Sequence, residues 1–206
     1  MLKTFKVAVL GGLLALGLGI GTAQALPFIN GTVSFSDGGI TLDANPNSIV
    51  HLLNTITQGS PATFGSCTGD FLVVCGAATS AGTIDLGAPS GTVYTLDGFT
   101  FTLLSVSNIV RTPLSGSGHR LTDSLVFDLS GQVSKLGFDP TPFLGTWTGQ
   151  GACIGSSACN TGTKSASWSV SLAAIEQNTP VPEPSTFVLL GIGLIGLGFA
   201  SHRKLR

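Results

Sequence analysis

Charge is what this chain has least of. Only 9% of its 206 residues are Asp, Glu, Lys or Arg, where an ordinary globular domain carries about a quarter. Glycine, with its 29 copies, and the hydroxyl residues threonine and serine take their place, the composition of a secreted β-rich protein. Basic residues are scarcest in the middle. Between residues 26 and 180, four of them (Arg111, Arg120, Lys135, Lys164) face nine acidic ones and leave the segment at −5. Phosphate-backbone binding needs a basic footprint, so nucleic acid is excluded as a partner. The remaining positive charge sits at the ends, as Lys3 and Lys6, then Arg203, Lys204 and Arg206.

Histidine and glutamate are nearly as sparse, which thins the material for catalysis. Residues 26–180 hold only His51, His119 and Glu176 of these types. Asp123 and Asp128 are five apart on a predicted strand and so point to opposite faces, unlike a carboxylate pair that flanks a scissile bond. Ser117, His119 and Asp123 assemble into a triad only on paper, because no nucleophile elbow accompanies them. "DANPN" (Asp43, Asn45, Asn47) opens like a calcium loop, but Ser48 stands where the glycine belongs and Asn54 where the bidentate acid belongs. Neither an enzyme nor a cofactor is expected, and no metal site.

The N-terminus has the three parts of a secretory signal. Lys3 and Lys6 supply the charge, "VAVLGGLLALGLGIG" the apolar core, and Ala23-Gln24-Ala25 the small-residue cleavage site. Residues 1–25 are therefore predicted to be a signal helix that the general secretion machinery reads and signal peptidase removes after Ala25.

Export places the four cysteines where disulfides persist. Four cysteines allow three connectivities. Local pairing, Cys67 with Cys75 and Cys153 with Cys159, is expected because each pair brackets a glycine-containing turn. Each bridge contributes on the order of 2 to 3 kcal/mol by the loop-entropy model. Zinc is disfavoured, since neither spacing is C-x2-C and no histidine lies near either pair in sequence.

Apolar and polar residues alternate through 26–180 with a period of two, which on a strand sends successive side chains to opposite faces. "SASWSVSLA" puts Ala166, Trp168, Val170 and Leu172 on one face and Ser165, Ser167, Ser169 and Ser171 on the other. "GFTFTLLSV" and "DSLVFDLSG" read the same way, and "TVSF", "SIVHLL", "FLVV" and "TIDL" are shorter candidates. Turn clusters, "SDGG", "LDGF", "SGSGH" and "FDPTP", lie between them. Seven to ten short strands over one core predict an all-β ectodomain, an antiparallel β-sandwich spanning residues 26–180. Its Ser/Thr faces suit a half-solvated sheet. Trp147 in "GTWTGQG" is the candidate glycan contact, because its Thr and Gly neighbours are small enough to leave the indole face open.

A third region runs from 181 to 206. Pro180, Pro182 and Pro184 remove backbone donors and hold "TPVPEPST" near an extended form. Residues 187–200 are an unbroken apolar run of about 21 Å as a helix, short for a bilayer core of roughly 30 Å but able to insert if the flanks snorkel or the bilayer thins. A short transmembrane helix is therefore predicted, with Arg203, Lys204 and Arg206 held on the cytoplasmic side. Gly191, Gly193 and Gly196 spell G-x-G-x-x-G by accident, for no strand precedes them and no βαβ unit surrounds them.

Val181, Pro182, Glu183, Pro184, Ser185 and Thr186, followed by that helix and the basic cluster, resemble the PEP-CTERM sorting signal of Gram-negative bacteria. The resemblance covers the stretch 181–206 and no more. It implies recognition by an exosortase, a membrane-embedded protease or transpeptidase that cuts near the Pro-Glu-Pro box, with transient residence in the inner membrane. It also implies a link to exopolysaccharide and biofilm. The expected function is that of a non-enzymatic surface or extracellular-matrix protein, with a displayed carbohydrate-binding module as the alternative.

Overall fold

The computed structural model describes residues 26–37, 39–42, 48–117, 120–155, 159, 163–175, 191 and 193–195. The signal segment with Ala23 and Ala25, the box 181–186 and the cluster Arg203, Lys204 and Arg206 lie outside the described residues, as do Asp43, Asn45 and Asn47. Of the C-terminal apolar run, residues 191 and 193–195 are described and are helical. Among the described residues no helix is long and apolar enough to cross a membrane.

Leu26–Gln177 forms one compact unit. Its described residues form ten strands: β1 (Gly31–Asp37), β2 (Thr55–Thr57), β3 (Thr63–Cys67), β4 (Thr79–Ala81), β5 (Thr83–Asp85), β6 (Gly91–Leu96), β7 (Phe99–Ser117), β8 (Arg120–Ser134), β9 (Thr141–Ile154) and β10 (Thr163–Ala174). Eight of them make a single sheet in the order β3-β1-β10-β9-β8-β7-β6-β4, and β2 pairs with β5 alone. Every strand pair is antiparallel. The all-β antiparallel expectation holds, and the layers of the expected sandwich come from one continuous sheet wrapped nearly into a barrel. An isolated bridge between Ala62, just before β3, and Thr79, at the start of β4, brings the two ends of the sheet together.

The two-residue period sets the wall. Leu125, Phe127, Leu129 and Val133 of β8 are buried, as are Phe143 and Trp147 of β9 and Ala166, Trp168, Val170 and Leu172 of β10. The serines between them face out. Hydroxyls pair across strands on that outer face, Ser34 with Ser66, Ser105 with Ser130 and Thr148 with Ser169. Inside, rings from opposite walls meet: Phe35 lies 5.5 Å from Tyr94 and Tyr94 lies 6.0 Å from Trp168. Such contacts tie β1, β6 and β10 together through the core, and offset aromatic pairs add about 0.5–1.5 kcal/mol each beyond burial.

Two expected strands fold otherwise. "FLVV" lies in a 3-10 helix, Gly69–Val74, between β3 and β4. Its three-residue turn points Phe71 and Val74 into the core and leaves Leu72 and Val73 exposed. The Cys67–Cys75 disulfide closes the loop that contains it, and a loop of that size has no room for a paired strand. "SIVHLL" is a buried turn, for a reason found on β8 and described below.

Three strands, β7, β8 and β10, run longer than their expected stretches, β9 has no expected counterpart, and β7 is the most irregular of the four. Its partner β6 pairs only with Phe99–Leu103, through the two-residue Asp97-Gly98 turn in which both residues have positive φ. Beyond Leu103, β7 pairs with β8 alone, and its register slips at Leu103/Ser105, Ser107/Val110 and Thr112/Ser115, with Pro113 inside the third slip.

Candidate functional site

Trp147, the candidate glycan contact, is not on the surface. Its relative exposure is 0%, and the indole stacks on Phe127 of the neighbouring strand at 4.8 Å. Gly149 explains the difference. A Cβ there would run into the Trp147 ring, so the small neighbour that suggests an open indole face makes room instead for the indole to lie inward along β9. The indole N–H donates to Gln58 Oε1 at 3.0 Å, the same oxygen that accepts the Tyr94 hydroxyl at 2.8 Å. Gln58 Nε2 donates in turn to the Gly82 carbonyl at 3.0 Å. Burial pushes the Tyr94 hydroxyl far up from its ordinary value, against the opposing Gln58 hydrogen bond. It stays a donor.

One cleft lies on the outer face and has a volume of about 620 Å³. Thr122, Ser124, Gln150, Ser165 and Ser167 line it together with Arg120. It offers hydroxyls, an amide and one guanidinium, with no ring on which a sugar face stacks.

The densest polar cluster is centred on Asp123. It shares the inward parity of Leu125 and Phe127 and is 3% exposed. Its Oδ2 accepts the backbone N–H groups of Ile49, Val50 and His51 at 2.7, 2.9 and 3.1 Å, and the His51 ring meets the same oxygen through Nδ1 at 2.7 Å. Three successive amides aimed at one carboxylate are the reason that 48–53 is a turn, because a strand would point alternate N–H groups to opposite sides. Ser48 Oγ accepts the Leu52 amide at 3.0 Å. Arg111 closes the other side by donating to the carbonyls of His51 and Leu53 and to Asn54 Oδ1. Gly151 completes the fit, since a Cβ there would strike both Asp123 Oδ1 and Ile49.

Burial pushes the Asp123 carboxyl up, but the His51 ring and the Ile49, His51 and Val50 amides outweigh it and hold the group below the usual carboxylate range. Asp128, on the opposite face as expected, is lowered by Asn108 and Thr146. The paper triad is not seen among the described residues. Asp123 is committed to His51, Ser117 is an exposed residue of β7, and His119 lies outside the described residues. Among the described residues no group of three His, Cys, Asp or Glu side chains is placed to hold a metal. His51, Gln58 and Arg111 carry no signal of these roles in the sequence. Only Asp123 does, as a charged residue on the apolar parity of its strand.

Both expected disulfides are present, Cys67–Cys75 and Cys153–Cys159. They staple opposite ends of the barrel. The Cys67 end also carries both ends of the domain: Asp139 N–H donates to the Pro27 carbonyl at 3.0 Å and Ile175 N–H to the Pro142 carbonyl at 2.9 Å. Gly31 pairs with Ala174 beside them. The sorting box thus follows from a strand that exits at this rim.

A family model for the PEP-CTERM protein-sorting motif matches residues 180–204. No curated protein and no solved structure matches the chain. The matched stretch takes in Pro182, Glu183 and Pro184, the apolar run and the first basic residues after it. The chain is a protein bearing a PEP-CTERM sorting motif, marked for export to the cell surface through processing by an exosortase.

Proposed function

We propose that Leu26–Gln177 is non-enzymatic cargo, delivered to the surface or extracellular matrix of a Gram-negative bacterium and associated there with exopolysaccharide and biofilm. The sorting motif at 180–204 carries this reading. The commitment of Asp123 to the 48–53 turn supports it, because the buried carboxylate best placed for acid–base work is already used to hold backbone. A carbohydrate-binding role loses the residue that favoured it, since Trp147 packs in the core.

In this reading residues 1–25 are removed by signal peptidase, and 187–200 hold the chain in the inner membrane until the exosortase acts at the Pro-Glu-Pro box. Mass spectrometry of the protein recovered from the cell surface is expected to find peptides up to the box and none from residues 187–206. An intact C-terminus in that fraction overturns the reading. Pro182→Ala with Pro184→Ala is expected to leave the chain in the membrane fraction. Normal release of this double variant reduces the box to a linker.

A further inference from the structure

The rim at which the domain's ends emerge has a second property. Antiparallel pairing places the end of β8, the starts of β9 and β7, the end of β6 and the 3-10 helix at the same end of the barrel as Gly31 and Ala174. Five exposed aliphatic side chains project there: Leu26, Leu72, Val73, Leu136 and Ile175. Leu136, in the β8–β9 turn, is 99% exposed and Val73 is 80% exposed. Buried rings lie directly behind them, since Phe71 precedes Leu72 and packs on Phe99 at 4.8 Å. The disulfide that closes the 3-10 helix fixes the outward aim of Leu72 and Val73.

We propose that this rim rests on the membrane surface before processing, with Leu136, Leu72 and Val73 entering the headgroup boundary. The inference rests on the reading that 187–200 are held in the membrane. The linker between Ile175 and that run, 176–186, reaches at most about 40 Å. A tether leaving from this rim keeps it nearer the lipid than the opposite end of the barrel. The charged side chains of the rim are few. Asp70 accepts the Asn30 amide, Asp97 and Asp139 flank the turns here, and the Lys135 amine lies over the Phe99 ring at 3.9 Å. With acid in slight excess, the rim gains nothing from anionic lipid. Binding then draws on apolar insertion, as for interfacial segments that sit about 5–10 Å into the headgroup region.

The test uses the full chain reconstituted in phosphatidylcholine vesicles that carry brominated acyl chains. The two native tryptophans are buried and serve as an unquenched background. Fluorescence of Leu136→Trp is expected to be quenched several-fold more than that of Ile154→Trp, an exposed position at the opposite end. Equal quenching of the two variants overturns the proposal. Shielding of Leu136→Trp from aqueous iodide without quenching by lipid also overturns it, by placing protein on the rim instead. A chain that fails to float with the vesicles contradicts the anchored reading as well, whereas flotation with Leu136→Trp unquenched contradicts the docking alone.

Discussion

Asp123→Ala is expected to cost roughly 4 kcal/mol of folding stability, within the range for breaking a buried hydrogen-bond network. The loss has an identifiable source. Removing the carboxylate strands three consecutive amide donors, Ile49, Val50 and His51, together with the His51 ring, and a buried donor without an acceptor costs about 1–3 kcal/mol. The 48–53 turn then loses its hydrogen bonds to β8 and keeps those from Arg111. In a domain of this size about 1 kcal/mol moves Tm by about 2–4 °C, so calorimetry is expected to find a drop of roughly 10 °C. Asp123→Asn keeps one carbonyl oxygen in place and is expected to cost about half as much. A drop of under about 2 °C in the alanine variant contradicts the role assigned to this carboxylate.

The same group predicts a pH dependence of definite sign. Its folded pKa is lowered, so the stability it contributes is fully present above the unfolded aspartate value of about 3.9. That contribution fades as pH falls through the lower folded value. Urea titrations from pH 6 to pH 2 are expected to give the native chain a steeper loss of stability at the acid end than Asp123→Asn. Parallel curves contradict this assignment.

Trp147→Ala is the second large effect, at about 3–5 kcal/mol for truncating a fully buried indole. The ring fills the space over Gly149 and stacks on Phe127, so truncation leaves a cavity between strands that are already paired on both sides. Trp147→Phe retains the stack and gives up only the hydrogen bond to Gln58, whose oxygen still accepts Tyr94. It is expected to cost less than half as much. Denaturant midpoints of the two variants check the order. Near-native stability of Trp147→Ala contradicts its burial, and restores the outward indole that a sugar contact needs.

Much of this architecture is legible in the alternation of the sequence, because period two is a local property. The inward sets of β8 and β10 and the pairing of each cysteine with its neighbour follow from residues a few positions apart. Where sequence and structure part, the causes are long-range. "SIVHLL" has a strand's residues and becomes a turn because an aspartate more than 70 positions later takes its amides. Small neighbours make Trp147 look open, whereas Gly149 is the space into which the indole packs. The wrapping of one sheet depends on the Ala62–Thr79 bridge, which no local pattern announces. The sorting motif is legible for the opposite reason. It acts as a contiguous peptide, so its function is written in the order of its residues and needs no fold to assemble it.

The irregular ladder of β7 matters most when many copies stand side by side. Among the described residues the strand has a paired neighbour on one side only past Leu103, and its exposed Leu104, Ile109 and Val110 would reward an intruding strand. Three register slips between Leu103 and Ser115 break its amide spacing into lengths too short to match a regular incoming backbone, and Pro113 deletes one donor outright. The edge works as a ruler with uneven marks: a foreign strand can align with one division but falls out of step at the next. For a sparsely charged protein delivered to the cell surface, that mismatch supplies the mutual avoidance that charge repulsion provides elsewhere.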